Sequence, residues 1–216
     1  MPFMKVAAGS AGGHWARDAA SALSRSDPRL GAWIERAGPL RIEGRRDPFI
    51  SLAEAIVYQQ LSGKAAATIW KRFAALFPGQ RVAPAPLLRL GGGELRAAGL
   101  SRQKTAYLRD LAAAFSDGSL EAGALRRMDD EEAIEALTRV KGIGRWTAEM
   151  FLIFCLKRPD VWPVDDLGIL KGIQRLFRMR ALPTRKRALA LGERWRPYRT
   201  AATWYLWRGV DGGGVG

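Results

Sequence analysis

Apolar residues recur in this chain at three- and four-residue intervals, and nowhere do they alternate with polar ones over a useful length. That spacing puts them on one face of a helix and leaves no strand from which to build a sheet. Leu52, Ala55 and Ile56 share such a face with Gln59 and Gln60, and Ala65, Ile69, Phe73 and Leu76 continue a second one after Ser62-Gly63. Two helices therefore meet near Leu61. Further helices are predicted over residues 104–115, with Ser101 as cap, and over 130–139, 145–156, 166–177, 185–193 and 200–208. Pro- and Gly-bearing clusters at 44–48, 77–80, 90–93, 157–160 and 181–184 separate them. The fold class expected is all-α.

At 216 residues and 48% hydrophobic, the chain can close one or two small cores. The longest uncharged apolar run, residues 150–156, is far short of the ~20 residues that a membrane-spanning helix needs. The first fifteen residues lack the apolar stretch of a secretory signal, so an intracellular protein with no membrane partner is expected. A single cysteine, Cys155, excludes a disulfide framework and a four-cysteine metal or iron–sulfur site; within its apolar run it reads as a core thiol. The one histidine, His14, sits in a polar leader and makes neither a His-rich metal site nor a Ser-His-Asp triad. Chemistry is left to carboxylates, hydroxyls, aromatics and backbone.

Thirty-five Lys and Arg against 21 Asp and Glu give a net charge of +14, and 27 of the 35 are arginine. Such an excess points to a polyanionic partner, because neutralised phosphates release counterions whatever the sequence. The charge is clustered: residues 175–208 hold ten basic residues (Arg175, Arg178, Arg180, Arg185, Lys186, Arg187, Arg194, Arg196, Arg199, Arg208) and one acid, Glu193. A footprint of this kind fits nucleic acid better than a merely solvated face.

The sharpest local feature is residues 137–148, Leu-Thr-Arg-Val-Lys-Gly-Ile-Gly-Arg-Trp-Thr-Ala: a helix, a tight turn at Gly142 and Gly144, and a second helix. Glycines there reach conformations closed to other residues and keep side chains away from a ligand. The amides of Ile143, Gly144 and Arg145 are expected to face outward at a helix N-terminus, which suits a phosphate. Taken alone, Gly-x-Gly is also the corner of an ordinary helix-turn-helix. About twenty residues on, Trp162-Pro-Val-Asp-Asp-Leu-Gly-Ile-Leu-Lys171 opens a helix with two adjacent carboxylates, Asp165 and Asp166. One carboxylate is accounted for as an N-cap; the second is surplus.

On these motifs the chain resembles the helix-hairpin-helix DNA glycosylases. Within that superfamily the Gly-Ile-Gly-Arg-Trp-Thr-Ala hairpin, the paired aspartates and Glu193-Arg-Trp-Arg-Pro-Tyr-Arg199 look like the DNA-3-methyladenine glycosylase II group. The resemblance runs from about Asp27 to Arg208 and takes in Asp47-Pro-Phe through Gln59-Gln-Leu-Ser62 and Gly99-Leu-Ser-Arg-Gln-Lys104. Longer bacterial members carry an N-terminal β-rich domain, so the likeness is to the short, all-helical form. It implies two helical subdomains, residues 1–50 plus 155–216 and residues 51–154, with an active-site cleft between them.

The resemblance also assigns roles. The catalytic carboxylate falls on Asp166, leaving Asp165 as the helix cap. Breaking an N-glycosidic bond builds positive charge on the sugar, and a fixed carboxylate in a water-poor site stabilises that state. Trp146 stands where strand-nicking members have a Schiff-base lysine. A monofunctional enzyme without lyase activity is therefore expected, and no cofactor is required. Trp146 and Trp207 are the expected walls of the base pocket, with Met150 and Leu167 beside them. Paired tryptophans favour an electron-poor or cationic base through stacking and cation–π attraction of ~0.5–2 kcal/mol. Alkylated purines, 3-methyladenine and 7-methylguanine, are the substrates implied. The target nucleotide has to leave the duplex, and Leu61 matches the wedge that fills the gap.

Gln60 and Ser62 either contact bases and phosphates or cap helices. Arg102, Lys104 and Arg199 are either phosphate contacts or structural charges. Backbone carbonyls of Thr138, Val140 and Ile143 are the implied seat of a structural Na⁺ or K⁺ at the hairpin. The partner expected is duplex DNA bearing alkylated bases, met by a monomer in the cytoplasm, on a bacterial nucleoid or in a eukaryotic nucleus. The rival readings are a uracil or mismatch glycosylase and a protein that binds damaged DNA without cutting any bond.

Overall fold

A computed structural model describes residues 15–43 and 47–211, and among these every regular element is helical. They fall into two compact units, one of residues 47–151 and the other of residues 15–43 with 152–211. His14, in the polar leader, lies outside the described residues. Among the described residues no helix is long and apolar enough to cross a membrane.

The second unit begins with α1 (Trp15–Ser26) and α2 (Pro28–Ala37). Asp27 caps α2, its carboxylate accepting the Arg29 N–H at 3.1 Å, and Pro28 takes the first helical position, where a missing N–H costs nothing. The same Asp-Pro device recurs in the first unit, where Asp47 accepts the Ile50 N–H at 2.9 Å to start α3 (Pro48–Tyr58). Next come α4 (Gly63–Ala74) and two six-residue helices, α5 (Pro84–Arg89) and α6 (Gly92–Ala97). The Ser101 hydroxyl accepts the Lys104 N–H at 3.1 Å, as its sequence position predicts, and starts α7 (Arg102–Ser116).

After α8 (Ala122–Arg127) comes α9 (Asp130–Thr138), started by a reciprocal capping box. There Asp129 accepts the Glu132 N–H and Glu132 the Asp129 N–H, each at 2.9 Å. The chain passes from the first unit to the second within α10 (Arg145–Phe154), and α11 (Leu167–Leu176), α12 (Arg185–Gly192) and α13 (Arg199–Val210) complete the second.

Each unit has its own core. In the first, Leu52, Ile56, Phe73, Leu87, Leu95, Leu108, Leu111 and Leu137 are fully buried, and Phe49 meets Phe115 edge to face with ring centroids 5.4 Å apart. In the second, Leu23, Leu30, Ile42, Ile169, Ile173 and Tyr205 are fully buried, as is Trp195, whose ring meets Trp162 edge-on at 5.3 Å. Trp33, Trp162, Trp195, Trp204 and Trp207 are all buried, so at least half of the eight tryptophans serve packing. Cys155 is buried and outside any disulfide.

Candidate active site

In the second unit, the loop before α11 is drawn tight by two backbone bonds, Val164 N–H to the Trp162 carbonyl at 2.8 Å and Asp166 N–H to the Pro163 carbonyl at 2.9 Å. These deliver Asp166, 2% exposed, to the N-cap position of α11, where its Oδ1 accepts the Ile169 N–H at 3.0 Å. The helix dipole favours a negative charge there. The same oxygen accepts the Trp207 indole N–H at 2.8 Å. Trp207 is itself buried and stacks on Phe154, with ring centroids 6.0 Å apart and planes 14° from parallel. Its edge is thus engaged by the carboxylate and one face by Phe154, a role the sequence did not announce. Leu167, the residue after Asp166, is 52% exposed.

In the first unit, the hairpin between α9 and α10 turns at Gly142, whose φ of +85° lies in the left-handed region. A Cβ there would lie 2.1 Å from the Tyr107 ring, so glycine is required on two counts. The Gly142 carbonyl accepts the Gln59 side-chain N–H at 2.8 Å, and the Lys141 N–H donates to Asp110 at 2.8 Å. Helix α10 starts with the Ala148 N–H on the Gly144 carbonyl. Among the described residues the amides of Gly144 and Arg145 have no hydrogen-bond partner, which is what an anion seat at this helix end needs. Trp146, half-buried, and Met150, buried, follow four residues apart on one face of α10.

The model of the HhH-GPD superfamily of base excision DNA repair proteins matches residues 53–197. The chain belongs to that superfamily. It is 39% identical over 190 residues to DNA-3-methyladenine glycosylase 1 of Schizosaccharomyces pombe, an alignment covering 87% of this chain and 83% of that protein. Among solved structures, the S. pombe 3-methyladenine DNA glycosylase in complex with abasic DNA superposes with a TM-score of 0.80 at 37% identity, over 90% of this chain and 97% of that one. A DNA-3-methyladenine glycosidase from Bacillus halodurans gives a TM-score of 0.83 at 37% identity, over 90% and 89%.

Within this HhH-GPD fold several expectations are corrected. Asp165 is not the cap of α11; Asp166 is, and Asp165 is exposed and paired with Arg185 at 2.9 Å. The Ile143 amide does not face outward: it donates to the Val140 carbonyl at 3.1 Å, and Ile143 is buried. The Arg145 guanidinium is held by both oxygens of Glu131, at 2.8 and 2.6 Å, and by the buried Glu149 at 3.1 Å. The Glu131 hydrogen bonds raise the pKa of Arg145 and lower that of Glu131.

Arg199 is no free phosphate contact either, because its Nε and Nη2 both bond the Asp160 carboxylate and Nη2 also bonds the Asp160 carbonyl. Lys104 is likewise committed. Its Nζ donates to the carbonyls of Val57 at 2.6 Å and Gln59 at 2.7 Å, and burial pushes its pKa down. The basic run of residues 175–208 is largely engaged within the fold. Arg175 bonds the last carbonyls of α13, Arg185, Arg194, Arg196 and Arg199 pair with acids, and Arg208 lies over the Trp204 ring. Arg178, Arg180, Lys186 and Arg187 are exposed and, among the described residues, in no ion pair. Arg102, at the start of α7, is exposed in the same way.

The turn from α3 to α4 carries Gln60 at a φ of +57°, exposed, and Leu61, half-buried, with the Leu61 N–H on the Tyr58 carbonyl at 3.3 Å. Ser62 stands at the N-cap position of α4, but its side chain makes no capping bond. Among the described residues, no group of three or more His, Cys, Asp or Glu side chains could hold a metal ion. At the hairpin, the Val140 carbonyl spends one lone pair on Ile143 and keeps the other.

Proposed function

We propose that this chain is a monofunctional DNA glycosylase that hydrolyses the N-glycosidic bond of alkylated purines, 3-methyladenine and 7-methylguanine, in duplex DNA. The observation that carries this reading is the burial of Asp166 at a helix N-terminus with Trp207 as hydrogen-bond donor. A carboxylate fixed in this way needs no reorganisation when positive charge grows on the sugar, and burial strengthens the attraction. Membership of a base excision repair superfamily, and likeness to proteins named for 3-methyladenine removal, supply the reaction class.

In the proposed reaction the bond from sugar C1′ to the base nitrogen breaks, and its electron pair leaves with the base. Alkylation makes the base a better leaving group. Asp166 stabilises the oxocarbenium-like sugar and orients the water, whose oxygen bonds C1′ while its proton passes to solvent. Trp146, half-buried on α10, Met150, Trp207 and Leu167 are the residues to which the reading gives contact with the extruded base. With Trp146 in the place of a lysine, no amine is there for a Schiff base, so the product is an abasic site in an uncut strand.

Leu61 is the wedge, with Gln60 and Ser62 beside it, and the free amides of Gly144 and Arg145 with exposed Arg102 contact phosphates. The carbonyls of Thr138, Val140 and Ile143 would hold a monovalent cation, whose positive charge would favour a nearby phosphate. The partner is duplex DNA and the acting species a monomer.

The test is chromatography of the bases released from randomly methylated duplex DNA, with the strand examined before and after alkali. We expect free 3-methyladenine and 7-methylguanine and strand breaks only after alkali. Tight binding with no free base would make the protein a binder of damaged DNA, and release from uracil-containing DNA alone would make it a pyrimidine-type glycosylase.

A further inference from the structure

The carbonyls at the end of a helix lack partners within it, and α3 ends at Tyr58, just before the turn that carries Leu61. Lys104 supplies those partners from another helix. Its ammonium donates to Val57 at 2.6 Å and Gln59 at 2.7 Å, at the negative end of the α3 dipole. Gln59 passes the connection on, because its side-chain N–H holds the Gly142 carbonyl of the hairpin at 2.8 Å.

Two more residues on the same stripe of α7 reach that hairpin. Tyr107, three residues beyond Lys104, fills the space that a Cβ on Gly142 would need, and its hydroxyl accepts an N–H of Gln103 at 2.6 Å. Asp110, three further, accepts the Lys141 N–H at 2.8 Å and lies 3.7 Å from the Lys141 ammonium. Positions three apart line one helix face, so one face of α7 grips two turns that are about eighty residues apart in sequence.

We propose that Lys104 and Gln59 are positioning residues that lock the turn bearing Leu61 to the hairpin, so that the element entering the base stack and the element seating a phosphate act as one rigid body. Lys104 works through the backbone of residues 57–59 and touches no DNA. This rests on the proposed reading of Leu61 as the wedge and of the hairpin as a phosphate seat.

The experiment measures binding to a duplex with one tetrahydrofuran abasic-site analogue, and to the same duplex undamaged, by fluorescence anisotropy over a salt series. The proteins are the parent, Lys104→Met, Leu61→Ala and the double variant. For Lys104→Met we expect the preference for the abasic duplex to fall about tenfold, within the range of couplings in one network. Affinity for undamaged DNA and its salt slope should stay as in the parent, and the double variant should lose no more preference than Leu61→Ala.

A salt slope reduced by about one, with both duplexes weakened equally, would make Lys104 a phosphate contact and overturn the inference. Additive losses in the double variant would overturn it as well. Should Lys104→Met fail to fold, Gln59→Met, which removes the link to Gly142 at similar volume, has to show the same selective loss. Leu61→Ala with parental preference would instead defeat the wedge reading itself, which separates the two failures.

Discussion

Trp207 donates its indole N–H to Asp166 Oδ1 over 2.8 Å, in a space that exists because residue 168 has no side chain. A Cβ on Gly168 would sit 2.8 Å from Trp207 Cδ1 and 2.9 Å from that same oxygen. Gly168→Ala should therefore displace the carboxylate and lower the single-turnover excision rate roughly a hundredfold, the scale of a small misplacement at a reacting centre. Trp207→Phe keeps an aromatic ring but removes the indole donor together with the five-membered ring that carries it, and should cost at least about 1.5–3 kcal/mol of transition-state stabilisation. Rates for both variants equal to the parent's would show that the contact is irrelevant to turnover.

Arg199 should matter for folding and hardly at all for DNA. It makes four hydrogen bonds to Asp160 through side chain and backbone and lies 3.5 Å from Glu193. Arg199→Met should lower the unfolding free energy by about 2 kcal/mol, as expected for losing charged hydrogen bonds, read as a drop in urea midpoint. Its salt slope for duplex binding should equal the parent's. The paired variant Lys186→Ala/Arg187→Ala, at exposed residues, should show the converse: unchanged stability and a shallower slope.

The Tyr205 hydroxyl, buried and donating to the Gly38 carbonyl at 3.3 Å, is pushed up to about 12 by desolvation. An unfolded tyrosine ionises near ~10. Above that pH the native state keeps a proton that the unfolded chain has lost, so stability is complete below pH ~10 and declines at up to about 1.4 kcal/mol per pH unit until the folded group titrates. Urea midpoints at pH 9 and pH 11 for the parent and Tyr205→Phe check this. The parent's midpoint should fall further between the two pH values than the variant's; equal falls would contradict it.

The fold class and the longer helices were legible because periodicity and caps are local. Ser101 and the apolar spacings mark α7, α9, α10 and α11 to within a few residues. Six-residue α5, α6 and α8 are too short to show a period, and α1 and α2 lie outside the expected helices although Asp27-Pro28 signals a helix start. The hairpin turn was legible because backbone conformation is tied to chain position, as at Gly142.

The site was not legible where a residue's partner lies far along the chain. Nothing near Lys104 announces the carbonyls 45 and 47 residues away, and nothing near Arg199 announces Asp160. A run of arginines looks the same in sequence whether it faces phosphate or holds its own fold together, and here six of the ten do the latter. The move of the α11 cap from Asp165 to Asp166 has the same origin. Either residue can cap a helix, and the loop bonds of residues 162–166 decide which one does.

The central claim is that the carboxylate of residue 166 lowers the barrier to glycosidic cleavage, and Asp166→Asn tests it most directly. Asparagine caps a helix about as well as aspartate and still offers an oxygen to Ile169 and Trp207, so the fold should survive the loss of charge. The measurement is the single-turnover rate of 3-methyladenine release from methylated duplex DNA, made alongside affinity for the same DNA. We expect the rate to fall by about 10²–10³ with affinity retained; release at the parent's rate would contradict the account.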